Sequence, residues 1–227
     1  MKNMVDISRR HMLKASGLVG LGLGASKLVG ASLDQMCVET PVQPEGPFYP
    51  VRDQSDKNND LTMVQGKTER ALGTIIYVSG KVVDQNCTSV SGATVEIWQA
   101  CQTGRYNHPG DNNNSSPLDP NFQYWGIDVT DNDGLYSFKT IIPGHYYAGT
   151  NWIRPPHIHF KVHKLGIMEL ITQMYFMGNQ YNDGDLILKK IPQNNRASVV
   201  RELTPRPKEN GRDVFAVNFD IAVESLF

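Results

Sequence analysis

Two histidines separated by one residue are the strongest candidates for chemistry in this sequence. His157 and His159 follow Arg154, Pro155 and Pro156. A proline disfavours the helical conformation of the residue before it, and alternate residues of a strand point to the same face. In an extended segment the two imidazoles can therefore bind one metal ion. The alternative is one surface histidine and one hydrogen-bonded core histidine.

Two tyrosines at predicted strand ends could join the histidines around one ion. Tyr106 follows a run at 93–100, and Tyr146 follows a run at 135–141 and a Pro-Gly turn. Two phenolates and two neutral imidazoles favour a trivalent cation such as Fe(III), which would ionise a phenol whose pKa is ordinarily about 10. Zinc would more usually take a third histidine or a carboxylate. The alternative for each tyrosine is ordinary packing in a turn.

Short alternating or β-branched runs, separated by turn residues, make up most of the chain from residue 73 onward. The predicted strands are 74–84, 93–100, 135–141, 156–162, 170–177 and 214–221. Only residues 193–202 have helical character. This pattern is typical of an all-β protein, and we predict an antiparallel β-sandwich.

The first 33 residues differ in composition from the rest of the chain and predict an export signal. Arg9 and Arg10 precede a weakly apolar, Gly- and Ala-rich run at 15–29. We predict a twin-arginine signal peptide at 1–33 and a periplasmic or otherwise exported protein; an amphipathic helix or a membrane anchor is the alternative. Removing it takes away five basic residues and one acidic residue, so the formal net charge of −1 falls to −5. Such a surface has no affinity for nucleic acid.

Two segments are predicted to be irregular, one before the first strand and one between strands. Residues 34–72 are rich in proline and glycine, and we expect an irregular N-terminal arm over a catalytic β-sandwich domain at 73–227. Phe48 and Tyr49 of this arm either anchor it to the core or line a pocket. The long polar loop at 102–125 is of a kind that is usually functional.

Three cysteines are present, at positions 37, 87 and 101. In an oxidising compartment one pair can form a disulfide, and the sequence does not choose among the three pairings.

Six segments follow one another in a distinctive order. They are Val95-Glu96-Ile97-Trp98-Gln99-Ala100, Gly104-Arg105-Tyr106-Asn107-His108, Pro117-Leu118-Asp119-Pro120-Asn121-Phe122, Thr130-Asp131-Asn132-Asp133-Gly134-Leu135-Tyr136-Ser137-Phe138, Arg154-Pro155-Pro156-His157-Ile158-His159-Phe160 and Ile171-Thr172-Gln173-Met174-Tyr175-Phe176. In this order they resemble the intradiol ring-cleavage dioxygenases, most of all the iron-binding β subunits of protocatechuate 3,4-dioxygenases. The resemblance runs from about residue 46 to 191, most of the chain that follows the signal.

The resemblance implies an intradiol-type β-sandwich with long active-site loops, and a role for each matching residue. Tyr106, Tyr146, His157 and His159 correspond to the Fe(III) ligands, and Tyr146 to the one that substrate displaces. Arg154 corresponds to an arginine that steadies charge on the ring, Gln173 to a polar residue near the oxygen site, and Phe48 or Tyr49 to a substrate-binding aromatic.

The implied reaction is cleavage of a catechol-type, protocatechuate-like diol by O2 between its hydroxylated carbons, giving a cis,cis-muconate. The family also implies a homo-oligomer or an αβ-type hetero-oligomer. Residues 147–153 depart from the family pattern, so the substrate stays open. Two other functions remain: an exported, non-catalytic binder of phenols or metal, and an Fe(II) extradiol-type oxygenase. The absence of an acidic residue beside the histidines disfavours the latter.

Overall fold

The computed structural model describes residues 37–54, 56–112, 114–164 and 168–224, and strands dominate its regular structure. The strands are β1 (Ile75–Asp84), β2 (Thr94–Trp98), β3 (Trp125–Val129), β4 (Leu135–Ile141), β5 (Tyr146–Gly149), β6 (Trp152–Arg154), β7 (His157–Lys164), β8 (Met168–Phe176), β9 (Val200–Arg201), β10 (Thr204–Glu209), β11 (Arg212–Asn218) and β12 (Ile221–Val223). Short 3-10 helices occur at Asn182–Gly184, Leu188–Lys190 and Gln193–Ser198.

Two five-stranded sheets and one hairpin account for these strands. The first sheet has the order β10-β11-β1-β12, with β4 also paired to β1, and the second has the order β3-β2-β7-β8-β9. Strands β5 and β6 form the hairpin. The predicted all-β sandwich is confirmed, but the sheets are mixed, because β1 runs parallel to β11 and β12, and β8 runs parallel to β9.

The core between the sheets fixes the direction of the two histidines. Ile158, Phe160 and Val162 of β7 are completely buried, and the Phe160 ring lies 4.7 Å from that of Phe219, which follows the first sheet's β11. Alternate residues of a strand face opposite ways. His157 and His159 therefore lie together on the opposite face of the second sheet.

Several predicted elements differ in detail from those observed. The helical stretch expected at 193–202 is a 3-10 helix, Gln193–Ser198, followed by β9. The strand expected at 214–221 is divided between β11 and β12. Residues 37–72, with residue 55 not described, contain no helix or strand, and an isolated bridge joins Asp60 to Lys139. The predicted signal at 1–33 lies outside the described residues. Within the described ranges, no helix is long and apolar enough to cross a membrane.

A disulfide connects the start of the arm to the turn between β1 and β2. Cys37 is bonded to Cys87, 50 positions along the chain, and the Cys37 amide also donates to the Gln85 carbonyl at 3.0 Å. Cys101 is buried with a free thiol. The pairing left open by the sequence is thus between the first two cysteines, and it ties the arm to the first sheet.

Loss of this disulfide is expected to destabilise the protein without changing its fold. A cross-link over a loop of this length contributes about 2–4 kcal/mol, chiefly by restricting the unfolded chain. The Cys37→Ser/Cys87→Ser variant should therefore unfold at lower urea than the oxidised wild type, with a free energy of unfolding lower by about 2–4 kcal/mol. Reduced wild type is the matched control and should resemble the variant. Equal stability of all three samples would contradict the prediction.

Candidate metal centre

Three ligand-type atoms from two segments converge on one point at the edge of the second sheet. The Tyr106 hydroxyl lies 3.1 Å from His159 Nε2 and 3.3 Å from His157 Nε2, and the two Nε2 atoms are 3.2 Å apart. Two ligand atoms about 2.1 Å from one metal and at right angles to each other are about 3.0 Å apart. The spacing of the three atoms therefore fits a shared cation.

The histidine rings are held in the orientation that this geometry needs. Nδ1 of His157 lies 2.6 Å from the Pro155 carbonyl oxygen, to which it donates, so Nε2 carries the free lone pair. The His159 ring stacks on Trp98, with the centroids 4.7 Å apart and the planes 12° from parallel. The backbone of the arm passes close to His159 at Gly46, where an added Cβ would lie 3.5 Å from the imidazole Cε1.

Two glycines allow the loops that carry Tyr106 and Tyr146 to approach each other. Gly104 has φ +81°, and a Cβ at this position would lie 2.0 Å from the His145 carbonyl oxygen. A Cβ at Gly144 would lie 2.4 Å from the Gln102 carbonyl oxygen. Such backbone contact excludes larger residues. The two tyrosine rings consequently lie 5.6 Å apart and edge-on.

Burial favours the neutral form of both the histidine and the tyrosine side chains of the cluster. His157 and His159 are each 2% exposed, and burial, with the nearby Arg154 charge, holds the pKa of both imidazoles well below the usual range. Burial also raises the pKa of the phenols of Tyr106 and Tyr146. Neutral imidazoles are the form that binds metal, whereas the phenols require a strong cation to ionise.

Tyr146 begins the β5–β6 hairpin beside the three converging atoms. Its ring lies 5.8 Å from that of His157 and 5.6 Å from that of Tyr106. The structure therefore brings the four predicted ligand side chains into one cluster, with Tyr146 nearest to the open side.

Arg154 is anchored beside the cluster by a buried carboxylate that the sequence analysis did not identify. The guanidinium is 3% exposed and its Nε donates to Asp185 Oδ2 at 2.8 Å, while Nη2 donates to Gln173 Oε1 at 2.6 Å. Asp185 is completely buried, and its Oδ1 accepts the Leu188 amide at 2.7 Å. This pair holds a fixed positive charge next to the converging ligands.

The arm completes the polar surroundings of Gln173. Gln43 donates from Nε2 to the Gln173 carbonyl at 2.8 Å and accepts from the Tyr175 hydroxyl at 2.9 Å. Gln173 in turn donates from Nε2 to the Pro44 carbonyl at 2.8 Å. The arm is therefore part of the site, although its sequence offered only two aromatics as a signal.

The structure separates those two aromatics, Phe48 and Tyr49. The Phe48 ring lies 4.8 Å from that of Tyr106 and lines the cleft described below. Tyr49 points the other way: its ring contacts Trp98 at 5.0 Å and its hydroxyl donates to Glu96 Oε2 at 3.0 Å. Phe48 can therefore touch a ligand in the cleft, and Tyr49 anchors the arm to the sheet.

A cleft of about 630 Å³ opens next to Tyr146 and Arg154. One side is apolar, with Phe48 and Trp152, and the 102–125 loop supplies a polar side. Concave sites of this size hold small organic molecules. The polar members of that side are Gln102, Thr103, Asp111, Asn114, Ser115 and Ser116.

Comparison with known sequences identifies relatives of this chain. A dioxygenase family model matches residues 44–225. The protocatechuate 3,4-dioxygenase beta chain of Burkholderia cepacia is 37% identical over 181 residues, which cover 78% of this chain and 76% of that one. The catechol 1,2-dioxygenase of Candida albicans is 32% identical over 199 residues, covering 81% of this chain but 62% of that protein.

Solved structures give the same fold. The 3-chlorocatechol 1,2-dioxygenase of Rhodococcus opacus superposes with a TM-score of 0.64 at 21% identity, over 82% of this chain and 73% of that one. The dioxygenase domain of a carbohydrate-binding fusion protein from Streptomyces sp. SirexAA-E superposes with a TM-score of 0.59 at 28% identity, over 82% and 99%.

Proposed function

We propose, because this chain belongs to the intradiol ring-cleavage dioxygenase family, that it is an Fe(III) enzyme. It uses O2 to cleave a catechol-type diol between the two hydroxylated carbons, giving a cis,cis-muconate. The observation that carries the proposal is the convergence of Tyr106 Oη with Nε2 of His157 and His159, beside a buried arginine. The name of the Burkholderia cepacia relative makes protocatechuate the first substrate to test.

In this proposal Tyr106, Tyr146, His157 and His159 hold the iron. Two neutral imidazoles and two phenols suit a hard trivalent cation, since the phenols become anionic ligands when it binds. Bound Fe(III) supplies a Lewis acid and a template for the diol.

In this proposal the side chains of the protein bind the diol, accept its proton and stabilise negative charge on the ring. Phe48 offers an apolar wall for the ring, and Tyr146, on the open side of the ligand cluster, would accept a proton from the incoming diol in its phenolate form and so return to the neutral phenol. Arg154 is a fixed cation aimed at negative charge that develops on the ring, and Gln173 and Asp185 hold it in position.

Export and assembly are further parts of the proposal. The Arg9-Arg10 motif supports a signal at 1–33 followed by an arm at 34–72 and the catalytic domain at 73–227. The Cys37–Cys87 disulfide supports an oxidising destination such as the periplasm. The relative's description as a beta chain supports assembly, either with further copies or with a second type of chain.

Iron content and product identity test the proposal on one sample. Purified protein should contain about one Fe(III) per chain, show a burgundy colour from tyrosinate-to-iron charge transfer, and consume O2 when catechols are added. The product should absorb only in the ultraviolet, as a muconate does. A colourless, iron-free protein that leaves catechols untouched after ferric reconstitution would overturn the proposal.

The same assay distinguishes the proposed enzyme from the two other functions. A non-catalytic binder of phenols or metal would consume no O2. An Fe(II) extradiol-type oxygenase would release a yellow semialdehyde that absorbs in the visible.

A further inference from the structure

We propose, building on the function proposed above, that the natural substrate is a catechol with an extended, uncharged, hydroxyl-bearing substituent rather than a ring carboxylate. The argument rests on the charges, the size and the polar groups of the cleft beside Tyr146.

Among the described residues that line the cleft, no lysine or arginine is free to pair with a carboxylate on the ring. Arg154 is the one lysine or arginine there, and its guanidinium is already paired with Asp185 at 2.8 Å. His145 also lines the cleft, and its ring packs against that of Tyr181, with the centroids 4.7 Å apart. Asp111 is another lining residue and adds an acidic side chain to the wall of the cleft. A carboxylate entering the cleft would lose hydration without gaining a counter-charge, which disfavours its binding.

Asp111 has a fixed place in the cleft wall. Its side chain is 8% exposed, and Oδ2 accepts the Tyr106 amide at 2.7 Å. This bond closes the turn that carries Tyr106, so the carboxylate cannot move away from an anionic ligand. Asp111 is therefore a specificity determinant: it repels acids and can accept hydrogen bonds from hydroxyl groups.

The cleft is also larger than a single aromatic ring requires. Its volume of about 630 Å³ falls in the range of about 300–1,000 Å³ that is typical of sites for drug-sized molecules. Asn114 and Ser115 line the side formed by the loop, and so does Thr103, whose Oγ1 donates to the Pro117 carbonyl at 2.9 Å and accepts from the Cys101 thiol at 3.2 Å. These groups suit hydroxyls on a long substituent that extends from the ring toward solvent.

Three probes separate charge from size: protocatechuate, its methyl ester and its glyceryl ester. We expect kcat/KM for the methyl ester to exceed that for protocatechuate at least tenfold, and the glyceryl ester to match or exceed the methyl ester. Because the ester also changes the electron density of the ring, Kd is measured anaerobically by tryptophan fluorescence and should follow the same order. Preference for protocatechuate, or a tenfold loss on going from methyl to glyceryl ester, would overturn the proposal.

Introducing a positive charge at Ser115, on the loop side of the cleft, provides a matched test of the charge preference. In Ser115→Lys, the ratio of protocatechuate affinity to methyl ester affinity should rise at least fivefold, whereas Ser115→Gln, of similar length but neutral, should leave the ratio near that of the wild type. An equal ratio in both variants would contradict the proposal. If wild type cleaves no catechol at all, the proposed function fails, while the order of the anaerobic Kd values still decides the question of charge.

Discussion

Replacing His157 by alanine is expected to abolish iron binding and ring cleavage together. His157 Nε2 lies within 3.3 Å of both Tyr106 Oη and His159 Nε2, and its Nδ1 is bonded to the Pro155 carbonyl, which fixes the ring. Loss of residues that only support a ligand typically costs 10–100-fold in metal affinity, so loss of the ligand itself should cost at least about 100-fold. Iron per chain, measured after dialysis, and O2 uptake should fall in parallel.

His163 provides a matched control on the same strand and the same face. It is about one-third exposed, and its Nε2 lies 3.0 Å from Glu96 Oε1 rather than near the converging ligands. His163→Ala should therefore retain iron and turnover, with a small loss of stability from the partly buried contact with Glu96, which keeps the Tyr49 hydroxyl and the Trp125 indole as partners. Retention of iron by His157→Ala, or equal loss of iron from both variants, would contradict the assignment. Circular dichroism confirms that each variant is folded.

The histidine pair was predictable because local chemistry determines its geometry. Two prolines enforce an extended backbone, and Ile158, Phe160 and Val162 supply the apolar alternation that buries one face of β7. The histidines must then share the opposite face. The core strands β1 and β4 were predicted nearly to the residue for the same reason, since their alternation reflects a buried and an open face.

Five strands, β3, β5, β6, β9 and β10, escaped prediction, and the sequences of β10 and β3 contradict strand propensity. β10 contains Pro205 and Pro207, which are tolerated because β10 is exposed and lies at the edge of the first sheet. β3 contains Gly126, where a Cβ would lie 2.5 Å from Leu61 Cδ1 of the arm. In both strands the tertiary setting, not the local pattern, explains the residue.

Asp185 could not have been chosen from sequence at all. A buried arginine requires a counter-charge, so Arg154 predicts an acidic partner. The partner, however, lies 31 positions away in a 3-10 region with no distinctive pattern, and many other acidic residues were equally eligible. Only the fold brings this carboxylate against the guanidinium. The sequence therefore predicts that Arg154 has an acidic partner but not which residue it is.

The second large effect is expected from Asp185→Asn, which should impair stability and turnover together. Asparagine keeps an oxygen for the Ile187 and Leu188 amides but removes the charge opposite Arg154. Removing one partner of a buried ion pair costs about 3–5 kcal/mol, because the other charge is left uncompensated. A misplaced guanidinium should also lower kcat by about 10²–10³-fold, the usual effect of losing one aligned electrostatic group. Urea unfolding and steady-state O2 uptake measure the two effects.

Asp183→Asn and a double variant decide whether Asp185 positions Arg154 or only supports the fold. Asp183 is exposed and two residues away, so the same charge change there should alter the free energy of unfolding by less than about 0.5 kcal/mol. Arg154→Met/Asp185→Asn removes both charges, and a neutral pair in a buried site is usually tolerated. The double variant should therefore regain most of the stability that Asp185→Asn loses, while kcat stays low because the cation beside the ligands is gone. Recovery of kcat together with stability would show that Arg154 has no electrostatic role in the reaction, and failure to regain stability would show that the charge pair is not what Asp185 contributes.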